Sequence, residues 1–81
     1  MKVINFVKKS SVIEQTTLSH ANLYSRMRKG LFPSQVKLGK TSLWIQSDVD
    51  AWCRAVAIGY SEDQIKHLVA ELKAKRKIDV Q

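Results

Sequence analysis

Residues 16–30 read Thr16-Thr17-Leu18-Ser19-His20-Ala21-Asn22-Leu23-Tyr24-Ser25-Arg26-Met27-Arg28-Lys29-Gly30, and the punctuation of this stretch decides the fold. Ser19 stands just before a run free of glycine and proline, which predicts an N-cap whose hydroxyl accepts a backbone N–H in the first turn. Asn22 occupies the place where a capping box carries Glu or Gln. The helix is expected to run to about Lys29. Leu23, Met27 and Tyr24 supply its apolar side at spacings of three and four. Gly30 is placed to stop it, and Pro33 prevents its resumption. Outside the apolar stripe lie His20, Asn22, Ser25, Arg26, Arg28 and Lys29. These residue types suit base edges and phosphates.

Upstream, Ser10 or Ser11 can cap a short helix over about 11–15, with Val12 and Ile13 turned inward. Thr16-Thr17-Leu18 interrupts it, because the β-branched pair disfavours continuation. Helix, three-residue break, helix is the helix-turn-helix pattern. Residues 3–7, Val-Ile-Asn-Phe-Val, read as a small strand or an extended arm. Downstream, residues 35–45 read as a β-hairpin with Gly39-Lys40 at its tip. Its lysines either face water or, as a wing, meet a DNA backbone. Ser47 is expected to cap a further helix, with Asp48 and Asp50 in the first turn, where carboxylates suit the positive dipole end. Val49, Trp52, Cys53 and Val56 form its stripe, and Gly59 ends it. Ser61 and Gln64 make a capping box for a last helix whose face is Ile65, Leu68, Val69 and Leu72. That face admits two accounts: it closes the domain's own core, which is preferred, or it meets a partner. Lys73, Lys75, Arg76 and Lys77 suit the C-terminal end of that helix without any ligand.

The 81 residues fit one domain, and the formal net charge is +7. Residues 1–47 carry eight Lys/Arg against a single acid, Glu14, while residues 48–81 carry six of each. All the net charge therefore lies in the first part of the chain, which points to a polyanionic partner. No catalytic constellation is visible, so no enzyme is expected. Gly39 alone is a turn and not a phosphate loop. His20, His67 and Cys53 lack metal-ligand spacing, and no metal or cofactor is expected. Trp44 and Trp52 read as core residues rather than stacking platforms, and Cys53 as a small buried hydrophobe. Cys53 has no cysteine partner, which agrees with a reducing compartment. No apolar run approaches the roughly 20 residues that cross a bilayer, and no signal peptide is visible. The expected location is the bacterial cytoplasm, at the nucleoid.

These segments together resemble the AlpA family of phage and genomic-island regulators, related to excisionases and more distantly to MerR-type winged helices. The resemblance is carried by Thr16-Thr17-Leu18-Ser19 with Leu23-Tyr24, by Gly30-Leu31-Phe32-Pro33 and by Val36-Lys37-Leu38-Gly39. Trp44 and Ser47-Asp48-Val49-Asp50-Ala51-Trp52 complete it, over about residues 4–56. The family's usual pattern has glycine where Thr17 stands and often Arg-Ser-Thr where His20-Ala21-Asn22 stand. The resemblance implies a small DNA-binding protein of a mobile element, acting as a recombination directionality factor, a transcriptional regulator, or both. It also implies double-stranded DNA as partner, with an integrase and self-association on DNA as further candidates.

The expected architecture is mainly α with a small β-hairpin. It is a winged helix-turn-helix of the MerR or excisionase kind over residues 1–60, with an extra C-terminal helix over 61–81 packed on or beside it. The expected DNA contacts are Ser19, His20, Asn22, Ser25, Arg26 and Lys29 from the second helix. Lys37, Lys40, Thr41 and Ser42 are those expected from the wing. Asn22 fits either an adenine contact or a local helix-start bond, and His20 a phosphate or base contact. The competing class is a protein-interaction adaptor that uses the amphipathic face of the last helix.

Overall fold

The computed structural model describes residues 4–79, with side chains described as far as Arg76. The elements run β1 (Phe6–Lys8), α1 (Lys9–Thr16), α2 (His20–Arg28), β2 (Val36–Leu38), β3 (Thr41–Ile45), α3 (Gln46–Ala57) and α4 (Glu62–Asp79). This is a mainly helical winged helix-turn-helix with a small antiparallel sheet and an added C-terminal helix. The strand order is β1-β3-β2, so the hairpin gains a third strand. Val7 pairs with Trp44 on one side of β3, and Val36 pairs with Leu43 on the other. Of the expected stretch 3–7, Val3 lies outside the described residues, and the strand itself begins at Phe6.

Two expected caps are absent, for one shared reason. Helix α1 begins at Lys9, so Ser10 and Ser11 lie inside it, and its N-cap Lys8 makes no side-chain bond. Helix α3 begins at Gln46 after Ile45, again without a capping side chain, so Ser47 lies within the first turn. In both places a strand runs straight into a helix. Lys8 is paired with Leu43, and Ile45 with Phe6. The ladder holds each cap residue extended, which is the conformation an N-cap needs. The Gln46 N–H donates to the Asn5 carbonyl at 2.8 Å, and the Gln46 amide spans Gln15 and Asp50.

Where no strand supplies the start, the side-chain caps are present. Ser19 Oγ accepts the Asn22 N–H at 3.1 Å. Ser61 and Gln64 exchange both bonds of a capping box. Helix α2 stops at Gly30, whose φ is +75°. The Gly30 N–H donates to the Met27 carbonyl and the Leu31 N–H to the Arg26 carbonyl, the paired bonds of a Schellman motif.

The turn between α1 and α2 is made differently. Thr17 sits at φ 60°, ψ 13°, a left-handed conformation that a β-branched residue adopts only under strain. Hydroxyls hold it there. Thr16 Oγ1 donates to the Val12 carbonyl at 2.8 Å and accepts the Leu18 N–H at 3.3 Å.

The core gathers Val12, Leu23, Phe32, Trp44, Val49, Trp52, Ile65 and Val69. Helix α4 thus closes this core with Ile65 and Val69, the preferred one of its two accounts. Helix α3 turns Ala55 into the cluster and leaves the expected stripe residue Val56 48% exposed. The two tryptophans are held by different means. Trp52 donates its indole N–H to the Leu31 carbonyl at 2.8 Å, whereas the buried Trp44 indole N–H has no hydrogen-bond partner.

Asp48 is more than a helix-start acid. It is buried, and Oδ2 accepts Arg76 Nη2 at 2.8 Å and Nε at 3.2 Å. Arg76 also donates to the Ser34 carbonyl at 2.7 Å. One guanidinium near the end of α4 therefore clamps the start of α3 and the loop after α2.

Both the strained turn and the buried ion pair can be tested by stability measurements. Thr17→Gly relieves the left-handed strain and should stabilise the fold by about 1 kcal/mol net of glycine's extra chain entropy, read as a rise in thermal midpoint. Arg76→Ala leaves a buried carboxylate unpaired and should cost about 2–4 kcal/mol in denaturant melts, whereas adding Asp48→Ala should recover part of that loss.

Candidate nucleic-acid interface

Helix α2 has one face in the core and the other in solvent. Leu23 is fully buried and Met27 packs partly on the core. At 100° per residue the line opposite them runs through Ser25, with Ala21 and Lys29 about 40° to either side of it and Arg28 and Asn22 about 60°. Ala21, Asn22, Arg26, Arg28 and Lys29 are exposed, and Ser25 is half-buried. Arg28 therefore lies on the outward face, across Ser25 from Asn22, although Arg26 and not Arg28 stood among the expected contacts. Arg26 sits on the flank, closer to the Leu23 side.

Ser19 is exposed, but its hydroxyl already accepts the Asn22 N–H. That bond uses the Asn22 backbone, and among the described residues the Asn22 side-chain amide has no hydrogen-bond partner. His20 lies away from the outward line and packs against Tyr24, with ring centroids 4.9 Å apart and planes at 44°. Lys9 brings its ammonium 5.8 Å from the Tyr24 ring centre. Lys9, Tyr24 and His20 thus form a basic and aromatic flank joining α1 to α2. In sequence Lys9 was only a unit of charge. Its nearness to Tyr24 depends on how the two helices pack, which no spacing rule reports.

The hairpin presents Lys37, Lys40 and Thr41 exposed and Ser42 half-buried. Lys37 pairs with Ser42, and Leu38 with Thr41. Because faces alternate along a strand, Lys37 and Ser42 share one face while Leu38 and Thr41 share the other. The expected wing residues therefore do not form one flat patch. Lys40 sits in the turn between the strands, beside Gly39 at φ +62°, and Leu38 is 69% exposed.

Among the described residues the ion pairs are His67–Glu71 and Arg76–Asp48. Neither Arg26 nor Arg28 pairs with Glu14 or with any other described acid. The described residues contain no group of three or more His, Cys, Asp or Glu able to hold a metal ion, and no helix long and apolar enough to cross a membrane. Burial pushes the Cys53 thiol up, with a smaller push from the Asp50 carboxylate. Both effects keep it protonated and unreactive near neutral pH.

The chain has recognisable relatives. The family described as prophage CP4-57 regulatory protein (AlpA) matches residues 5–62. This takes in the sheet, the first three helices and the start of α4. An uncharacterized protein, ORF88, of Enterobacteria phage P4 is 42% identical over 48 residues, covering 58% of this chain and 54% of that protein. The match thus spans about half the length of the curated relative. No solved structure matches the chain.

Proposed function

The chain belongs to the AlpA family of prophage regulatory proteins, and from that premise we propose that it is a sequence-specific, double-stranded DNA-binding protein of a mobile element. In this reading it serves as a recombination directionality factor, as a transcriptional regulator, or as both. The observation that carries the reading is the division of α2. Its apolar side is taken up by the core, while Asn22, Ser25, Arg28 and Lys29 face solvent beside a stop made by Gly30. A helix so held can lie in a major groove, where Asn matches adenine and Arg matches guanine through two bonds each.

Each part of the surface then has a role. Asn22 and Arg28 read bases, with Ser25 between them. Ser19, His20, Arg26 and Lys29 contact the flanking backbone, joined by Lys9. Lys37, Lys40, Thr41 and Ser42 act as the wing against phosphates. Residues 1–60 constitute the DNA-binding unit, and residues 61–81 are an extension packed beside it. An integrase and further copies of the chain on adjacent sites are the partners that a directionality factor requires. The adaptor alternative loses ground, because Ile65 and Val69 of the face it needs are buried in the chain's own core.

Footprinting on the DNA flanking its own gene, and on any neighbouring attachment site, tests the reading directly. Protection at the attachment site with stimulation of excision supports the directionality role. Protection confined to a promoter supports regulation alone. Asn22→Ala and Arg28→Ala should each reduce discrimination between cognate and unrelated duplexes by about 1–3 kcal/mol, and Arg26→Ala by less. Lys40→Ala should weaken all sequences alike and lower the salt dependence by about one phosphate's worth. If Asn22→Ala and Arg28→Ala both leave site preference intact, α2 is not the reading helix.

A further inference from the structure

We propose that the groove between the end of α2 and α4 is a second binding surface for the DNA backbone, in which Lys66 and Lys73 hold phosphates beyond the bases read by α2. This inference rests on the DNA-binding reading above and extends it to the part of α4 that follows the matched family segment. Phe32, Val69 and Met27 line the groove together with Lys29, Lys66 and Lys73. Among the described residues no acidic side chain lines it, and all three lysines are exposed.

Among the acids of α4, Glu62 stands one turn before Lys66 on the same face but does not line the groove. A hollow on another flank of the helix is lined by Tyr60, Asp63, Gln64, His67, Leu68 and Glu71, with no lysine among them. His67 and Glu71 pair there at 3.2 Å. Residues 48–81 sum to zero charge, yet the fold gathers lysines on the side toward α2. Lys66 and Lys73 are seven residues apart and share a face, about 10 Å along the axis at ~1.5 Å per residue. That matches the axial rise of roughly three base pairs of DNA at ~3.4 Å each, within the play of two flexible ammonium groups.

The groove begins at Lys29, on the helix proposed to enter the major groove. That continuity favours a phosphate strand over an acidic protein segment as its occupant. Both lysines lie past residue 62, where the family match ends.

The test uses the full chain and a mixed-sequence duplex of about three helical turns, titrated across salt concentrations. The Lys66→Gln/Lys73→Gln double variant should lower the slope of log affinity against log salt by roughly 1.8, about 0.9 for each phosphate that is no longer neutralised. Lys75→Gln removes the same kind of charge from an exposed position outside the groove and should leave the slope unchanged. An equal drop from Lys75→Gln would show a net-charge effect and overturn the inference. An unchanged slope in the double variant also overturns it, and leaves the DNA reading intact if Arg28→Ala still relaxes site preference. Weaker polyglutamate binding by the double variant, with DNA binding unchanged, would assign the groove to an acidic protein segment instead. Failure of the wild type to bind any duplex would overturn both readings together. Melting curves of the variants, which alter only exposed side chains, are expected to match wild type.

Discussion

The bond from the Trp52 indole N–H to the Leu31 carbonyl, 2.8 Å long and buried, is the interaction on which the placing of α2, the helix proposed to meet DNA, depends. Leu31 closes the Schellman cap of α2, because its own N–H reaches back to the Arg26 carbonyl. The same residue therefore ends α2 and fastens it to α3. Phe32 meets Trp52 edge-on at a centroid distance of 4.9 Å, and Arg76 holds the Ser34 carbonyl two residues further on. The Leu31–Ser34 segment is thus tied at both ends. A surface that reads bases needs tight positional control, since small displacements forfeit paired hydrogen bonds. Here that control comes from a connection which would be loose if it depended on its own backbone alone.

The Thr17 turn sets the other end of α2, and it works on a different principle. Gly30 adopts a positive φ without penalty, whereas Thr17 is forced into one. The hydroxyl of Thr16 bonds both backward and forward across the turn, which restores part of the cost and narrows the range of approach angles. A glycine there would relax the backbone and also widen the unfolded ensemble. The threonine pair trades stability for a stiffer entry into α2, a trade found where geometry matters to function.

The sequence made some of this legible and hid the rest for identifiable reasons. The caps at Ser19 and Ser61, the stops at Gly30 and Gly59 and the turn at Gly39 are local chemistry, and local chemistry can be read in order along a chain. The starts of α1 and α3 were misplaced because the extended cap residues Lys8 and Ile45 are fixed by strand pairing with Leu43 and Phe6, far away along the chain. No residue near Ser10 or Ser47 reports such a partner. Asp48 was legible as a helix-start acid, but Arg76 lies 28 positions off, so the clamp depends on where α4 lands. In the candidate site, the residue types on α2 were visible from spacing. That Arg28 lies on the outward face and Arg26 nearer the core side follows only once Leu23 and Met27 are known to point inward.

Charge shows the same limit more sharply. Counting along the chain puts the whole excess of +7 before residue 48, and a linear count treats the remainder as neutral. A surface is not neutral because its sum is zero. Potential at a phosphate depends on charges within about a Debye length, roughly 8–10 Å at physiological salt. Acids sequestered on another flank of a helix, or neutralised as Asp48 is by Arg76, are screened from it. Helix α4 contributes lysines on the side where α2 ends and holds the His67–Glu71 pair elsewhere. The net charge of a segment therefore predicts its solubility better than its partner, and the partner is decided by which side of the helix the fold turns toward it.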